Sequence, residues 1–162
     1  LCFITKERAG AANGRDTLAA QEDKLNWGVL DGSVGLKIRL AETISAQQMA
    51  TLLHDVELSA AQLTALELIG CNPGITPGQL AKAMALEPSN MASMLRRLEA
   101  MGCLRTAAGQ DRRTKTLSLT VNGRRLRCEG ETVLKSHQQQ LTRALSRSEA
   151  DELLRLLDKL MA

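Results

Sequence analysis

The sequence predicts a mainly α-helical fold interrupted by one two-stranded hairpin. Three observations predict it. Apolar residues recur at three- and four-residue spacing along most of the chain, as on one face of a helix. Three hydroxyl residues are each followed three positions later by Glu or Gln, which is the capping box of a helix start. One stretch, 104–120, instead alternates in the strand period around a polar turn. The 162 residues fit one domain of ordinary size. One Phe, one Trp and no Tyr leave Leu, Ile, Val, Ala and Met to fill the core. Such aliphatic cores suit helix packed on helix.

Residues 1–32 are polar and glycine-bearing, with a weak helical signal at 16–25, and are expected to be a partly disordered N-terminal extension. From about 33, Leu36, Leu40, Ile44, Met49, Leu52, Leu53 and Val56 mark a long helix ending near Asp55. Ser59 and Gln62 form the first capping box, ahead of Leu63, Leu66 and Ile69. The run Gly70-Cys71-Asn72-Pro73-Gly74 breaks that helix. Thr76 and Gln79 form the second box, with Pro77 at the favoured first helical position and Leu80, Ala83 and Met84 behind it.

After a turn at Leu86-Glu87, a helix opens around Pro88-Ser89. One face carries Met91, Met94 or Leu95, Leu98 and Met101; the other offers Ser89, Asn90, Ser93, Arg96 and Arg97. Gly102 suits the left-handed position that ends a helix. Residues 104–108 and 116–120 read as paired strands around a turn at 109–115. Thr120 caps a helix to about 144, and the third box, Ser146 with Glu149, starts a last helix bearing Leu153, Leu156, Leu157 and Leu160. Two short helices directly before a hairpin make a winged helix-turn-helix, about 57–120, flanked by helices at 33–55 and 121–162.

The net charge of +3 says little, but its distribution is uneven. Residues 96–127 hold nine Arg or Lys against Glu99 and Asp111, a balance of +7, so the remainder stands at −4, with 12 basic against 16 acidic residues. A basic block of this kind is either a nucleic-acid footprint or a solvated basic surface. No apolar run approaches the roughly 18 residues of a membrane span. LCFI at the start is too short for the apolar part of a signal peptide. Cys2, Cys71, Cys103 and Cys128 are scattered, without the spacing of a zinc site or a disulfide framework, and are expected to be reduced. The last three fall at positions expected to be buried or helical, where inert thiols are the norm. With only His54 and His137 there is no Ser-His-Asp arrangement, and there is no phosphate loop. An enzyme, a metal and a cofactor are not expected.

Three segments carry a family resemblance: LSAAQLTALELI, ITPGQLAKAMALEPSNMASMLRRLEAMGCL and DRRTKTLSLTVNG. Together they resemble the multiple antibiotic resistance regulator (MarR) family of bacterial transcription factors, over residues 33–162. The resemblance implies a cytoplasmic, homodimeric DNA-binding repressor acting on double-stranded DNA at a pseudo-palindromic operator. The first and last helices would interlock across the two-fold axis. It also implies release by a small anionic or aromatic ligand.

The wing arginine of the family matches Arg113, which would enter the minor groove, where negative potential is focused. Asp111 resembles its orienting partner. The helix from 88 becomes the recognition helix. Its first amides favour phosphate, and Asn90 suits adenine N6/N7. Ser89 and Ser93 face the same way, and Arg97 matches a backbone-contacting arginine. Arg96 faces phosphate or solvent, while Arg112 and Lys115 are further phosphate contacts. Arg39 and His54 are the candidates for holding an anionic ligand, against the plainer reading that both are solvated. Two other readings remain: a winged-helix interaction module that binds no DNA, and a cysteine-based redox-sensing regulator. Against the latter, the chain has no Tyr, and Cys2 lies outside the resembling region.

Five of the last helix's residues between 153 and 160 are leucines, too many for one stripe. Independently of the resemblance, they ask for a second apolar surface.

Overall fold

The computed structural model describes residues 25–54, 56–109 and 114–162. The chain divides into two compact units between Ile38 and Arg39. In the first, a 3-10 turn at Gly28–Leu30 is closed by Asn26 Oδ1, which accepts from Gly28 N at 2.9 Å. The expected weak helix at 16–25 lies outside the described residues, Leu25 excepted.

The elements then follow in the expected order: α1 (Val34–Leu52), α2 (Ala60–Cys71), α3 (Pro77–Ala83), α4 (Pro88–Ala100), β1 (Leu104–Ala108), β2 (Lys115–Leu119), α5 (Val121–Leu141) and α6 (Arg147–Met161). All three expected capping boxes form, at Ser59, Thr76 and Ser146, each with both reciprocal hydrogen bonds. Thr120 caps α5 as expected, accepting from Gly123 N at 3.0 Å.

The core lies where α2, α3, α4 and the hairpin meet. Leu63, Leu66, Leu80, Met91, Leu98, Cys103 and Leu117 are its fully buried members. Both Met94 and Leu95 are buried, so α4 turns a four-residue face inward. α1 is different: its apolar residues have the expected spacing, yet none is buried. Leu40 and Ile44 remain 39% and 52% exposed, not covered by the other described residues. α1 is tied to α5 by His137, whose Nε2–H donates to Ser45 O at 3.1 Å.

Two helix ends build the turn of the helix-turn-helix and the root of the wing. After α4, Gly102 adopts φ +65°, Gly102 N donates to Glu99 O and Cys103 N donates to Leu98 O. This paired closure is a Schellman motif. α3 ends with the same pattern, Ala85 N to Lys82 O and Leu86 N to Ala81 O. Here the left-handed position is filled by Ala85, at φ +49°, so the reversal falls one residue before the expected Leu86-Glu87.

β1 and β2 pair antiparallel from Leu104 opposite Leu119 to Ala108 opposite Lys115, one residue earlier in β2 than expected. Leu117 N does not pair within the hairpin. It donates to Ile75 O at 2.9 Å, which ties the wing to the loop before α3.

Arg127 of α5 reaches across to α2, where its Nε and Nη2 donate to the two carboxylate oxygens of Glu67, each at 2.9 Å. Chiefly through this fork, Arg127 holds the Glu67 carboxyl below its ordinary pKa. A depressed folded-state pKa stabilises the protein above the unfolded carboxyl value, about 4.3, and the contribution fades as pH falls through the folded value. The stability advantage of the native protein over Glu67→Gln should therefore be full at pH 7 and shrink below about pH 4.3. Melting temperatures of both proteins from pH 7 to 3 check this; a constant gap would remove the ion pair from the account.

Candidate nucleic-acid interface

The site is built on α4. Its helical period sends Met91, Met94, Leu95 and Leu98 into the core. The opposite arc therefore carries Ser89, Asn90, Arg96 and Arg97, all exposed, and Ser93, half-buried. Glu87 stands at the N-cap without a side-chain capping bond, and Pro88 occupies the first position. Unlike α2, α3 and α6, this helix start leaves its first amides for an outside acceptor, where the helix dipole favours an anion.

Two grooves flank the arc. The first, about 340 Å³, lies against the start of α2 and is lined by Ser59, Ala61 and Gln62 with Asn90, Ser93 and Arg97. The second, about 630 Å³, lies between α3, α4 and the hairpin, and brings Lys82, Arg96 and Lys115 together around an apolar floor that includes Ala81 and Leu95. The structure thus divides the expected set: Asn90, Ser93 and Arg97 on one flank, Arg96 and Lys115 on the other. Lys82 was missed by the sequence reading. Its signal was its place in the last turn of α3, one residue beyond the buried pair Leu80 and Ala81.

Asp111, Arg112 and Arg113 lie outside the described residues. The base of their hairpin is defined: Gly109 N donates to Thr114 O at 2.7 Å, and Lys115 is exposed. Arg39, on α1, and His54, in the turn that follows, are both exposed and line neither groove.

The described cations of the basic block differ in their partners. On α5, Arg124 donates to Leu119 O, Arg125 pairs with Glu129, and Arg127 is held by Glu67. Arg96, Arg97, Arg105 and Lys115 are exposed and make no ion pair with the described residues. The positive field therefore concentrates on α4 and the hairpin, where the grooves lie.

Cys71, Cys103 and Cys128 fall at the buried or helical positions expected of them. Cys103 is buried, and desolvation pushes its thiol pKa up. Cys71 and Cys128 sit on helices but are exposed. The Cys71 thiol donates to Glu67 Oε1 at 3.2 Å, and that bond raises its pKa. A thiol held protonated is a weak nucleophile.

Residues 58–115, from the approach to α2 through the first residue of β2, match the MarR family model. The chain also superposes on the transcriptional repressor CouR bound to a 23-mer DNA duplex, with a TM-score of 0.79 and 27% identity over 86% of this chain and 99% of CouR. Residues 58–115 form a MarR-family domain. Wild-type MarR from E. coli, in its apo form, matches at a TM-score of 0.66 and 26% identity, over 80% of this chain and 97% of that one. Among curated relatives, an HTH-type transcriptional repressor of Mycobacterium tuberculosis is 24% identical over 131 residues, covering 80% of this chain and 94% of its own. A putative transcriptional regulatory protein for the hcr operon of Thauera aromatica is 27% identical over 139 residues, 85% of this chain and 84% of its own. No helix among the described residues is long and apolar enough to cross a membrane.

Proposed function

We propose that this chain is a homodimeric, DNA-binding transcriptional repressor of the cytoplasm, not an enzyme, released from a pseudo-palindromic operator by a small anionic or aromatic ligand. The observation that carries this reading is the outward arc of α4, with its exposed amides and arginines, set beside a hairpin whose described cations are unpaired. The winged helix-turn-helix at about 57–120 reads the DNA. The helices at 33–55 and 121–162 join two copies, and residues 1–32 are an extension. Asn90 and Ser93 face base edges from α4. Ser89, Arg96, Arg97, Arg112 and Lys115 meet phosphates, which position the protein but carry little sequence information. Arg113 enters the minor groove, oriented by Asp111. The ligand would meet Arg39 or His54.

The test is anisotropy on a duplex from the DNA flanking its own gene, at several salt concentrations. Wild type should bind with a steep salt dependence. Arg113→Ala should lose about 1–3 kcal/mol and lower the salt slope by about one counterion. Arg113→Lys should not fully rescue, because an ammonium is better hydrated and costs more to strip in a narrow groove. Asp111→Ala should loosen binding even though it removes a negative charge; a tighter complex at every salt would sink the orienting role. Salt-insensitive, sequence-blind behaviour of the wild type would favour the protein-interaction module instead.

A further inference from the structure

The basic groove between α4 and the hairpin contains one acid, Glu99. An acid on a phosphate-binding face repels DNA, so its presence needs a cause. Glu99 lies one helical turn from Arg96, yet the two form no ion pair. Its Oε1 instead accepts a hydrogen bond from the Thr106 hydroxyl of β1.

That bond sits level with the outermost anchor of the other strand: Thr106 pairs with Leu117, whose N is bonded to Ile75 O. At the root, Leu104 and Leu117 are buried, Leu117 N is bonded to Ile75 O, and Thr120 N is bonded to Cys103 O. Thr106 is exposed, and beyond it Ala107 and Ala108 are exposed as well, while the groove separates Lys115 from the helix. The strands of the outer hairpin therefore have each other and little else. Among the described residues, the Glu99–Thr106 bond is the outermost hydrogen bond between α4 and the hairpin.

We infer that Glu99 and Thr106 form a strut that fixes the wing against the recognition helix, making both positioning residues for the DNA contacts of the wing. Without it the hairpin is held at this level through β2 alone and pivots about the Leu117–Ile75 bond, and each wing contact must first recover the entropy of a fixed orientation. The inference rests on the DNA-binding reading above.

Three variants separate strut from charge. Thr106→Val keeps the shape of the side chain and the Glu99 charge but removes the donor. Operator affinity should fall about tenfold per half-site, the scale of one lost hydrogen bond to a charged acceptor. Glu99→Gln keeps an acceptor for Thr106 and removes the repelling charge, so it should bind more tightly than wild type, most clearly at low salt. In an Arg113→Ala background, Thr106→Val should cost little, because the strut acts through a wing contact that is already gone. Melting temperatures of the variants should stay near wild type, since both side chains are exposed.

Measured by anisotropy on the operator duplex, a Thr106→Val protein that binds like wild type would overturn the strut. So would an undiminished loss in the Arg113→Ala background, which would mean that Thr106 acts elsewhere than through the wing. A wild type that binds no duplex would instead overturn the DNA-binding reading itself.

Discussion

Gly123→Ala should cost about 3 kcal/mol or more of folding stability, a large share of the 5–15 kcal/mol typical of a whole domain. A Cβ at Gly123 would stand far inside the van der Waals envelope of Cys103 O, with the Cys103 carbonyl carbon also too near. That neighbour is backbone, so no rotamer change relieves the clash. Moving α5 away breaks what the approach exists to make: Thr120 N donates to Cys103 O, Thr120 Oγ1 donates to Gly102 O at 2.6 Å, and Gly123 N donates to Thr120 Oγ1. Overpacking alone costs about 1–3 kcal/mol, and a lost cap adds about 0.5–2. Gly130 is also crowded, but against the side chain of Leu63, which can give slightly, so Gly130→Ala should cost less. Gly78 has nothing within 4 Å of an added Cβ, and Gly78→Ala should be neutral or mildly stabilising. Urea unfolding of the three variants ranks them. A Gly123→Ala protein as stable as Gly78→Ala would mean that α5 does not need to sit this close to the root of the wing.

The parts of the fold legible in the sequence are those written in local chemistry. Ser59, Thr76 and Ser146 announce helix starts because the partner that completes each box lies three residues away. Gly102 announces the end of α4 because φ +65° is costly for other residues. Ala85 shows the limit of that logic. It takes the same left-handed position without the glycine that would advertise it, and so the turn was placed one residue late. Contacts between distant residues were not legible at all. The Leu117–Ile75 bond uses backbone groups that every sequence has, and the Glu67–Arg127 fork joins residues sixty positions apart. The partners of the block's last arginines were hidden for the same reason: Arg124 donates to Leu119 O, Arg125 pairs with Glu129 and Arg127 with Glu67. The exposed arc of α4 was readable because a 3.6-residue period separates core from solvent without further information. How that face is divided between two grooves depends on where α2 and the hairpin stand, which no local pattern records.

Removing residues 146–162 should convert the protein to monomer or aggregate and weaken operator binding by about 10²–10⁴-fold, the range in which linking two sites multiplies affinity. The motivation is α6 itself. Leu153, Leu154, Leu156 and Leu160 are 45–61% exposed in the single chain, on a helix that buries no residue at all. α1 is in the same position, with Leu40 and Ile44 uncovered. Two helices of one chain that each present an apolar face to water meet the condition for a self-complementary interface, in which the same patch serves both copies. Binding two half-sites through one dimer makes the second contact intramolecular, and a monomer forfeits that gain while keeping its own half-site chemistry. Leu153→Asp with Leu156→Asp provides a milder version that leaves the Ser146 capping box and the helix start intact. Sedimentation velocity gives the assembly state, and anisotropy on full and half operators gives the coupling. The expected pattern is a monomer whose half-operator affinity equals that of wild type and whose full-operator affinity drops towards it. A sedimenting dimer that survives loss of 146–162 would move the interface away from α6 and leave its leucines without a partner.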